Sequence, residues 1–240
     1  MIDLNVFIPA RMESSRFPGK PLAPINGLPM IVYCARNSIS AGLSTYVCTD
    51  SESIVRVCDL YDVPTILTPS FNTGTDRVAF ASDHNPSRFV INLQGDEPLI
   101  TAEDLTAFAH ALRTSSINET SILNAICAID ADEAFDPNNV KCSIALDKTI
   151  LYLSRKALLN SIPEEKHPYF KQLGLYGMLS TTLQRFSNMP QSKLELAERI
   201  EMIRWLDHSM SLASFFIDHN TISVDTPEDF VRALSTLESP

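Results

Sequence analysis

The sequence predicts an α/β fold with a parallel sheet that is covered by helices on both faces. Short apolar runs of strand length recur along the chain, and RFVINL at residues 88–93 is the clearest of them. Segments with helical spacing, such as residues 29–40, lie between these runs. Ligands of such sheets bind beyond the carboxyl ends of the strands, so we expect the polar loops after Ile8, Thr49 and Leu93 to face one crevice.

Several of the predicted elements are bounded by residues that suit their ends. The first apolar run ends in Pro9, and Gln94, Gly95 and Asp96 stop the strand before them. Thr101 is placed to cap a helix with acidic residues in its first turn. The predicted strands are residues 4–9, 45–49, 65–67, 88–93, 121–129, 141–146 and 221–224. The predicted helices are residues 29–40, about 53–61, 102–112 and 194–206, and one that begins at Pro227 after the N-cap Thr226.

Composition narrows the class of protein. A chain of 240 residues with 45% hydrophobic residues can bury one sizeable core, and we expect a single domain over residues 1–240 because no repeat or long linker interrupts it. The formal net charge of -10 disfavours nonspecific binding to nucleic acid or to an anionic membrane. No apolar stretch is long enough to span a bilayer, and the five scattered cysteines are typical of buried thiols, so we expect a cytoplasmic protein.

Positive charge is concentrated in one loop of this acidic chain. The stretch FIPARMESSRFPGKPL carries Arg11, Ser15, Arg16 and Lys20 directly after the first predicted strand. Arginine forks, a lysine point charge and backbone amides together suit a polyphosphate, and the prolines reduce the entropy that the loop loses on gripping one. The pattern is not the P-loop motif, and a solvated charged loop is the alternative interpretation.

Two acidic motifs predict a metal site. In QGDEP, Asp96 follows the clearest strand, where one or two carboxylates can hold Mg²⁺ together with phosphate oxygens and water. In VDTPED, helix capping accounts for the residues from Thr226 onward but leaves Asp225 free to be a second ligand. Solvated turn acids are the alternative at Asp96.

Three further features are less specific. TGTDR at residues 73–77 is another polar loop around a glycine. The segment KLELAERIEMIRWL is predicted to be a helix that carries functional acids, and a solvated surface helix is the alternative interpretation. The histidines show no spacing for a metal triad, and no GxSxG motif supports a serine nucleophile.

Taken together, these motifs resemble one family over nearly the whole chain. PARMESSRFPGKPL, NLQGDEP, LGLYG and VDTPEDF, in this order and with TGTDR between the first two, are similar to the signatures of the CMP-Kdo synthetases, which activate 3-deoxy-D-manno-octulosonate (Kdo). The resemblance implies a Rossmann-like, mixed and mostly parallel sheet flanked by helices, of the nucleotide-diphospho-sugar transferase type. It implies that CTP and a small anionic sugar acid are converted with Mg²⁺ to a CMP-sugar and pyrophosphate, for lipopolysaccharide or capsule synthesis. It also implies a homodimer, with a sugar-binding and dimerisation subregion at about residues 143–220.

The resemblance also assigns roles to residues. Arg11 and Lys20 are expected to hold the triphosphate, and Asp96 and Asp225 the metal, as the four catalytic residues. We hypothesise that this metal lowers the pKa of the attacking sugar hydroxyl, so that no histidine base is required. Further nucleotide contacts are expected from Ser15, Arg16, Thr75, Arg77 and Gln94. Contacts to the sugar acid are expected from Arg155, Gln172, Tyr176, Glu195 and Glu198.

The chain departs from the family pattern in the predicted sugar pocket. Gln172 stands where the family has a histidine, Met178 where it has a second tyrosine, and Met202 where glutamine is common. Because a lost buried polar contact is worth about 1 to 3 kcal/mol, we expect the acid to be Kdo or a relative of it. A cytidylyltransferase for a sialic-type acid and a noncatalytic sugar-nucleotide-binding relative remain the alternatives.

Overall fold

One sheet organises the chain. The structure, a computed structural model, describes residues 2–157 and 169–238. Its strands, in chain order, are β1 (Ile2–Ala10), β2 (Pro24–Ile25), β3 (Leu28–Pro29), β4 (Ser44–Thr49), β5 (Thr65–Leu67), β6 (Ser87–Leu93), β7 (Ser121–Ile129), β8 (Lys141–Ile144), β9 (Ile150–Ser154), β10 (Tyr169–Leu179) and β11 (Ser211–Ile217). Nine of these form a sheet whose main path runs β11-β7-β10-β6-β1-β4-β5, with β8 and β9 attached beside β10.

The direction of the strands agrees with the predicted fold class. The neighbours β6-β1-β4-β5 are parallel, as are β7 and β11, whereas β10 runs antiparallel to both β6 and β7. The prediction of a mixed, mostly parallel sheet is therefore confirmed. The carboxyl ends of β1, β4 and β6 lie at the same edge, as the predicted crevice requires.

Helices cover both faces of the sheet. They are α1 (Met30–Ser40), α2 (Glu52–Leu60), α3 (Gly74–His84), α4 (Ala102–Thr114), α5 (Ala131–Phe135), α6 (Ser180–Ser187), α7 (Lys193–Glu198), α8 (Met202–Asp207) and α9 (Pro227–Glu238). Because successive side chains of a strand point to opposite faces, Val6 and Ile8 of β1 pack with α1 and α4, while Phe7 packs in a second cluster with α3 and α6. No helix in the described part of the chain has the length and apolarity needed to span a membrane.

Most early elements lie where the sequence predicts them, within one or two residues. Thr101 caps α4 with a full capping box, and Thr226 accepts a hydrogen bond from the backbone of Asp229 at the start of α9. All five cysteines are free and buried, which confirms that prediction. The TGTDR motif is not a loop, because Thr73 caps α3 and the rest of the motif forms its first turn.

Two later predictions are wrong. Residues 194–206 do not form one helix: α7 ends at Glu198, Arg199 adopts a left-handed conformation with φ 56°, and α8 begins at Met202. Residues 221–224 do not form a strand, although the Val224 amide donates to the carbonyl of Asp96 at 2.8 Å. Of the predicted subregion 143–220, residues 158–168 lie outside the described residues, and its role in dimerisation stays a prediction.

Candidate active site

Lys20 stands at the centre of the crevice. Gly19, with φ 73°, turns the opening loop into a single turn of 3-10 helix that begins at Lys20. The Lys20 ammonium lies 2.7 Å from Asp96 Oδ2, 2.8 Å from the carbonyl of Val224 and 3.4 Å from Asp225 Oδ1. Burial lowers the pKa of this ammonium, but the two carboxylates outweigh it and hold the pKa above its usual value. The two carboxylates predicted to bind metal therefore face one common point.

Close backbone packing brings Asp96 to this point. A Cβ at Gly95 would lie 2.8 Å from Ile31 Cδ1 and 3.1 Å from the carbonyl of Pro9, so a larger residue there would displace the Ile31 side chain and press on β1. The hydrogen bond from Val224 to Asp96 then fixes the segment that carries Asp225 beside the same loop. Asp96 and Asp225 are juxtaposed although 129 residues of sequence separate them (225 less 96).

The opening loop lines a first cavity with its cations. Arg16 donates to Asp225 Oδ2 at 3.0 Å and to Asn138 Oδ1 at 3.2 Å, and Ser15 lies beside it in the wall. Arg11 is exposed in the same wall and has no hydrogen-bond or ion-pair partner within residues 2–157 and 169–238. This cavity thus offers cationic groups around the paired carboxylates, as binding of a polyphosphate requires.

Arg77 closes the far side of the first cavity. Its buried guanidinium donates to Thr68 Oγ1 at 2.6 Å and to Asp50 Oδ2 at 2.8 Å, so it joins the loops that follow β4 and β5. The structure does not bring Thr75 into the cavity wall. Thr75 is buried in the first turn of α3, where its hydroxyl donates to the Glu201 carboxylate.

A second cavity adjoins the first and shares Gln94, Asp96, Glu201 and Asp225 with it. Three predicted contacts to the sugar acid, Arg155, Gln172 and Tyr176, line this second cavity. Burial, followed by the nearby Glu201, Glu97 and Asp96 carboxylates, raises the pKa of Tyr176 well above its usual range, so its phenol stays protonated.

Glu195 and Glu198 do not line either cavity. Glu195 is buried, forms the capping box of α7 with Ser192 and pairs with both Nε and Nη2 of Arg204. Both of its carboxylate oxygens are therefore bonded within the protein and are not available to a substrate. Glu198 accepts from the Ser154 hydroxyl and from the backbone amide of Arg155, and thereby supports a residue of the wall. The alternative of an exposed, solvated helix describes most of α7, but it is wrong for the buried Glu195.

Two carboxylates of the site were not predicted. Glu201 lines both cavities, and burial is the main reason that its pKa is raised. Glu97 lies under the second cavity, where burial, followed by the charge on Asp96, raises its pKa to about 7. The available signal for Glu201 is its position between the apolar residues Ile200 and Met202, which is unusual for an exposed acid.

Comparison with known proteins identifies the family. A model of the family described as cytidylyltransferase matches residues 5–212. The chain belongs to the cytidylyltransferase family. Among its members, the chain is 34% identical to the 3-deoxy-manno-octulosonate cytidylyltransferase of Wolinella succinogenes, over 95% of this chain and 97% of that protein. It is 35% identical to the 8-amino-3,8-dideoxy-manno-octulosonate cytidylyltransferase of Shewanella sp. strain ANA-3, over 95% and 96% of the two chains.

A solved cytidylyltransferase structure supports the same assignment. The structure of CMP:2-keto-3-deoxy-manno-octonic acid synthetase complexed with CTP matches with a TM-score of 0.89 and 30% identity, over 98% of each chain. The predicted resemblance to the Kdo cytidylyltransferases is thus confirmed, and with it the fold type and the nucleotidyltransferase class. The cation-lined cavity beside a second polar cavity is an arrangement that suits such an enzyme.

Proposed function

We propose that this cytidylyltransferase couples CTP to a 3-deoxy-2-ulosonic sugar acid, Kdo or a Kdo-like acid, to give a CMP-sugar and pyrophosphate. The observation that carries the proposal is the shared wall: two adjoining cavities meet at Asp96 and Asp225, with Lys20 between the two carboxylates. Two substrates bound in these cavities would meet at that junction. The product would serve lipopolysaccharide or capsule synthesis, and the buried free thiols favour a cytoplasmic enzyme.

The residues of the first cavity bind and orient the nucleotide. Arg11 has no partner among the described residues and is available to a phosphate, whereas Arg16 must exchange Asp225 for one. Lys20 stays near the junction and stabilises charge that develops on the phosphoryl oxygens. Arg77 fixes the shape of the wall through Asp50 and Thr68.

The proposed reaction is an in-line displacement at the α-phosphorus. A sugar hydroxyl in the second cavity forms the new O–P bond, and the bond from the α-phosphorus to the bridging oxygen breaks. The electron pair of the broken bond leaves with pyrophosphate, and the hydroxyl proton passes to water at the open junction. The positive charges of the opening loop stabilise the departing pyrophosphate.

The donor set at the junction fits Mg²⁺. Asp96 and Asp225 present hard oxygen donors to the point occupied by the Lys20 ammonium. Within the described residues no group of three or more His, Cys, Asp or Glu side chains forms a metal site, so phosphate oxygens and water would complete the coordination. When bound, the ion supplies charge neutralisation and activation of the sugar hydroxyl. Replacing Asp225 with alanine is expected to abolish turnover at saturating Mg²⁺, and unchanged turnover would contradict this role.

The second cavity is proposed to bind the sugar acid. Arg155 brings positive charge to the wall, but its guanidinium donates to backbone carbonyls and would have to exchange one of them for a carboxylate. Tyr176 offers a phenol that remains a donor. A homodimer is also proposed, through the subregion at residues 143–220, where Leu146, Leu151 and Phe216 expose large apolar side chains.

The proposed function is tested by pyrophosphate release with CTP, Mg²⁺ and one acid at a time. The acids are Kdo, 8-amino-Kdo and a sialic acid, and a reaction without acid is the blank. Release with Kdo or 8-amino-Kdo is expected. Release with the sialic acid alone would replace the proposed acceptor, and no release together with no Mg²⁺-dependent binding of CTP would favour the noncatalytic alternative.

A further inference from the structure

Glu97 is a buried carboxylate that connects three segments of the site. Its side chain is 2% exposed, and its Oε1 accepts from the Gly174 amide at 2.7 Å and from the Ser223 hydroxyl at 2.6 Å. The three segments are the loop after β6, strand β10, and the irregular segment that leads to α9. Each of them also supplies residues to the shared wall or to the second cavity.

The bond to Gly174 shapes the second cavity. The register between β10 and β7 shifts between Gln172 and Tyr176, so Gly174 stands away from β7. There the carbonyl of Gly174 accepts from the backbone N–H of Gln94 at 2.7 Å, while the backbone N–H of Gly174 donates to Glu97. A Cβ at Gly174 would lie 2.8 Å from Gln94 Cβ and 2.9 Å from Glu97 Oε1, which shows how closely the two segments approach.

The hydrogen bond from Ser223 to Glu97 helps to position Asp225 relative to Asp96. Ser223 lies two residues before Asp225, and the next residue, Val224, donates its amide to the carbonyl of Asp96. The segment before Asp225 is therefore attached to the loop of Asp96 twice, by one backbone bond and by the Glu97 side chain. Without the second attachment, this segment would keep only the Val224 bond to the loop of Asp96, while Lys20 and Arg16 would hold Asp225 from the opening loop.

A purely structural carboxylate would be arranged differently, as Glu195 shows. Glu195 uses both oxygens and is neutralised by Arg204. Glu97 has no ion pair within the described parts of the chain, and its Oε2 is buried without a hydrogen-bond partner there. A buried, unpaired carboxylate costs stability, and such costs are commonly kept where they serve a site.

We infer that Glu97 is a positioning residue for nucleotidyl transfer, which holds Asp225 opposite Asp96 through Ser223 and holds the floor of the second cavity through Gly174. The inference rests on the proposed function, because it concerns how the carboxylate pair meets the nucleotide-bound cation. It predicts that the two arms of Glu97, its hydrogen bond from Ser223 toward Asp225 and its hydrogen bond from Gly174, can be separated by mutation.

The arm to Asp225 is tested with Ser223→Ala, which removes one hydroxyl and leaves Glu97 and Gly174 in place. Mn²⁺ is the probe. It is added to the protein in the presence of CTP and without sugar acid, and its binding is followed by electron paramagnetic resonance. We expect the affinity for Mn²⁺ to fall by roughly tenfold, as for a lost hydrogen bond to a charged group. We also expect kcat to fall by more than KM for the acid rises, although Ser223 itself lines the second cavity. Ser214→Ala is the matched control, since the Ser214 hydroxyl makes a comparable bond to the carbonyl of Lys148, and neither Ser214 nor Lys148 lines either cavity.

The arm to Gly174 is tested at Glu97 itself. Glu97→Gln keeps an oxygen acceptor and is expected to retain Mn²⁺ affinity within about threefold, whereas Glu97→Ala is expected to weaken Mn²⁺ binding and to raise KM for the acid. Should Glu97→Ala fail to fold, Ser223→Ala with its control still decides the question.

The outcomes separate this inference from the proposed function. If the wild-type protein binds Mn²⁺ with CTP and turns over, but Ser223→Ala behaves like Ser214→Ala, the positioning role is wrong and the proposed function stands. If the wild-type protein shows neither property, the proposed function itself has failed.

Discussion

The side chain of Gln172 has an orientation that its hydrogen bonds determine. Asn124 Nδ2 donates to the carbonyls of Leu173, Leu175 and Ala125, so Asn124 Oδ1 is the acceptor that remains for Gln172 Nε2 at 2.7 Å. The other end of the Gln172 amide, its Oε1, is left for the second cavity, which Gln172 lines. Position 172 therefore presents an acceptor, and a substrate group beside it should be a donor such as a hydroxyl or an ammonium.

Exchanging Gln172 should change the preference for the acid. Gln172→Leu removes the acceptor and is expected to lower kcat/KM by about tenfold or more for Kdo and for 8-amino-Kdo alike. Gln172→Glu keeps an acceptor and adds negative charge, so it should favour 8-amino-Kdo over Kdo relative to the wild type. Steady-state kinetics with both acids measure this, and Gln184→Leu, which lies outside both cavities, is the control. Equal kinetics for the wild type and Gln172→Leu would contradict a contact at this position.

Glu201 predicts a dependence of stability on pH. Burial raises its pKa above the ordinary value of 4.5, so between the two pKa values the folded protein holds a proton there that the unfolded chain releases. The resulting penalty is absent below pH 4.5, grows as pH rises and is complete above the folded pKa. Glu201→Gln is therefore expected to raise Tm relative to the wild type more at pH 8 than at pH 5. Differential scanning calorimetry at both values checks this, and an equal shift at the two would refute it.

Among the elements, the corner between α7 and α8 best shows how packing overrides periodicity. The left-handed residue Arg199 ends α7, and α8 then folds back so that Arg204 reaches Glu195. Arg204 Nε lies 2.8 Å from Glu195 Oε2, and Arg204 Nη2 lies 2.6 Å from Glu195 Oε1. The corner also places Glu201 between the two cavities. A continuous helix could not do both.

The ion pair in this corner should dominate its stability. Arg204→Met leaves Glu195 buried and unpaired, and is expected to lower the free energy of unfolding by about 3 to 5 kcal/mol. Urea denaturation at pH 7 measures the change. The double variant with Glu195→Leu should recover much of the loss because no unpaired charge remains, and a single-variant loss under about 1 kcal/mol would show that the pair is weakly coupled.

The sequence predicted the elements with local signals and failed where distant contacts decide. Strands β5 and β7 and the capped helices follow from apolar runs, prolines and N-caps. The break of the helix at Arg199 could not be predicted from the sequence, because nothing in the sequence marks an arginine that adopts a left-handed conformation. The break results from packing. Strand β10 was missed since Lys171, Gln172 and Gly174 interrupt its apolar pattern at the bulge.

The same distinction holds for the site. Arg11, Arg16, Lys20 and Asp96 could be located from the sequence, since each follows a strand whose end is readable. The contact between Lys20 and Asp225 was not predicted, because it joins distant parts of the sequence, and the roles of Glu97 and Glu201 depend on burial that one sequence does not reveal.

At the scale of the whole molecule, the proposed dimer makes a direct prediction. Leu151 of β9 is exposed within the subregion at residues 143–220, near the exposed Leu146 in sequence. Leu151→Glu should therefore shift the protein from dimer to monomer at micromolar concentration, measured by size-exclusion chromatography with light scattering. Leu60→Glu, an exposed leucine of α2 outside this subregion, is the control. A wild-type monomer would contradict the proposed dimer.

The hydrogen bond from Lys20 to the carbonyl of Val224 spans 204 residues of sequence. During synthesis the opening loop emerges long before residues 223–225, so early parts of the sheet can begin to fold before those residues exist. The junction at Asp96 and Asp225 therefore cannot form until translation has passed residue 225. A ribosome that stalls before that codon would release a chain with most of the nucleotide cavity but an unfinished centre, so prematurely terminated copies should not consume CTP.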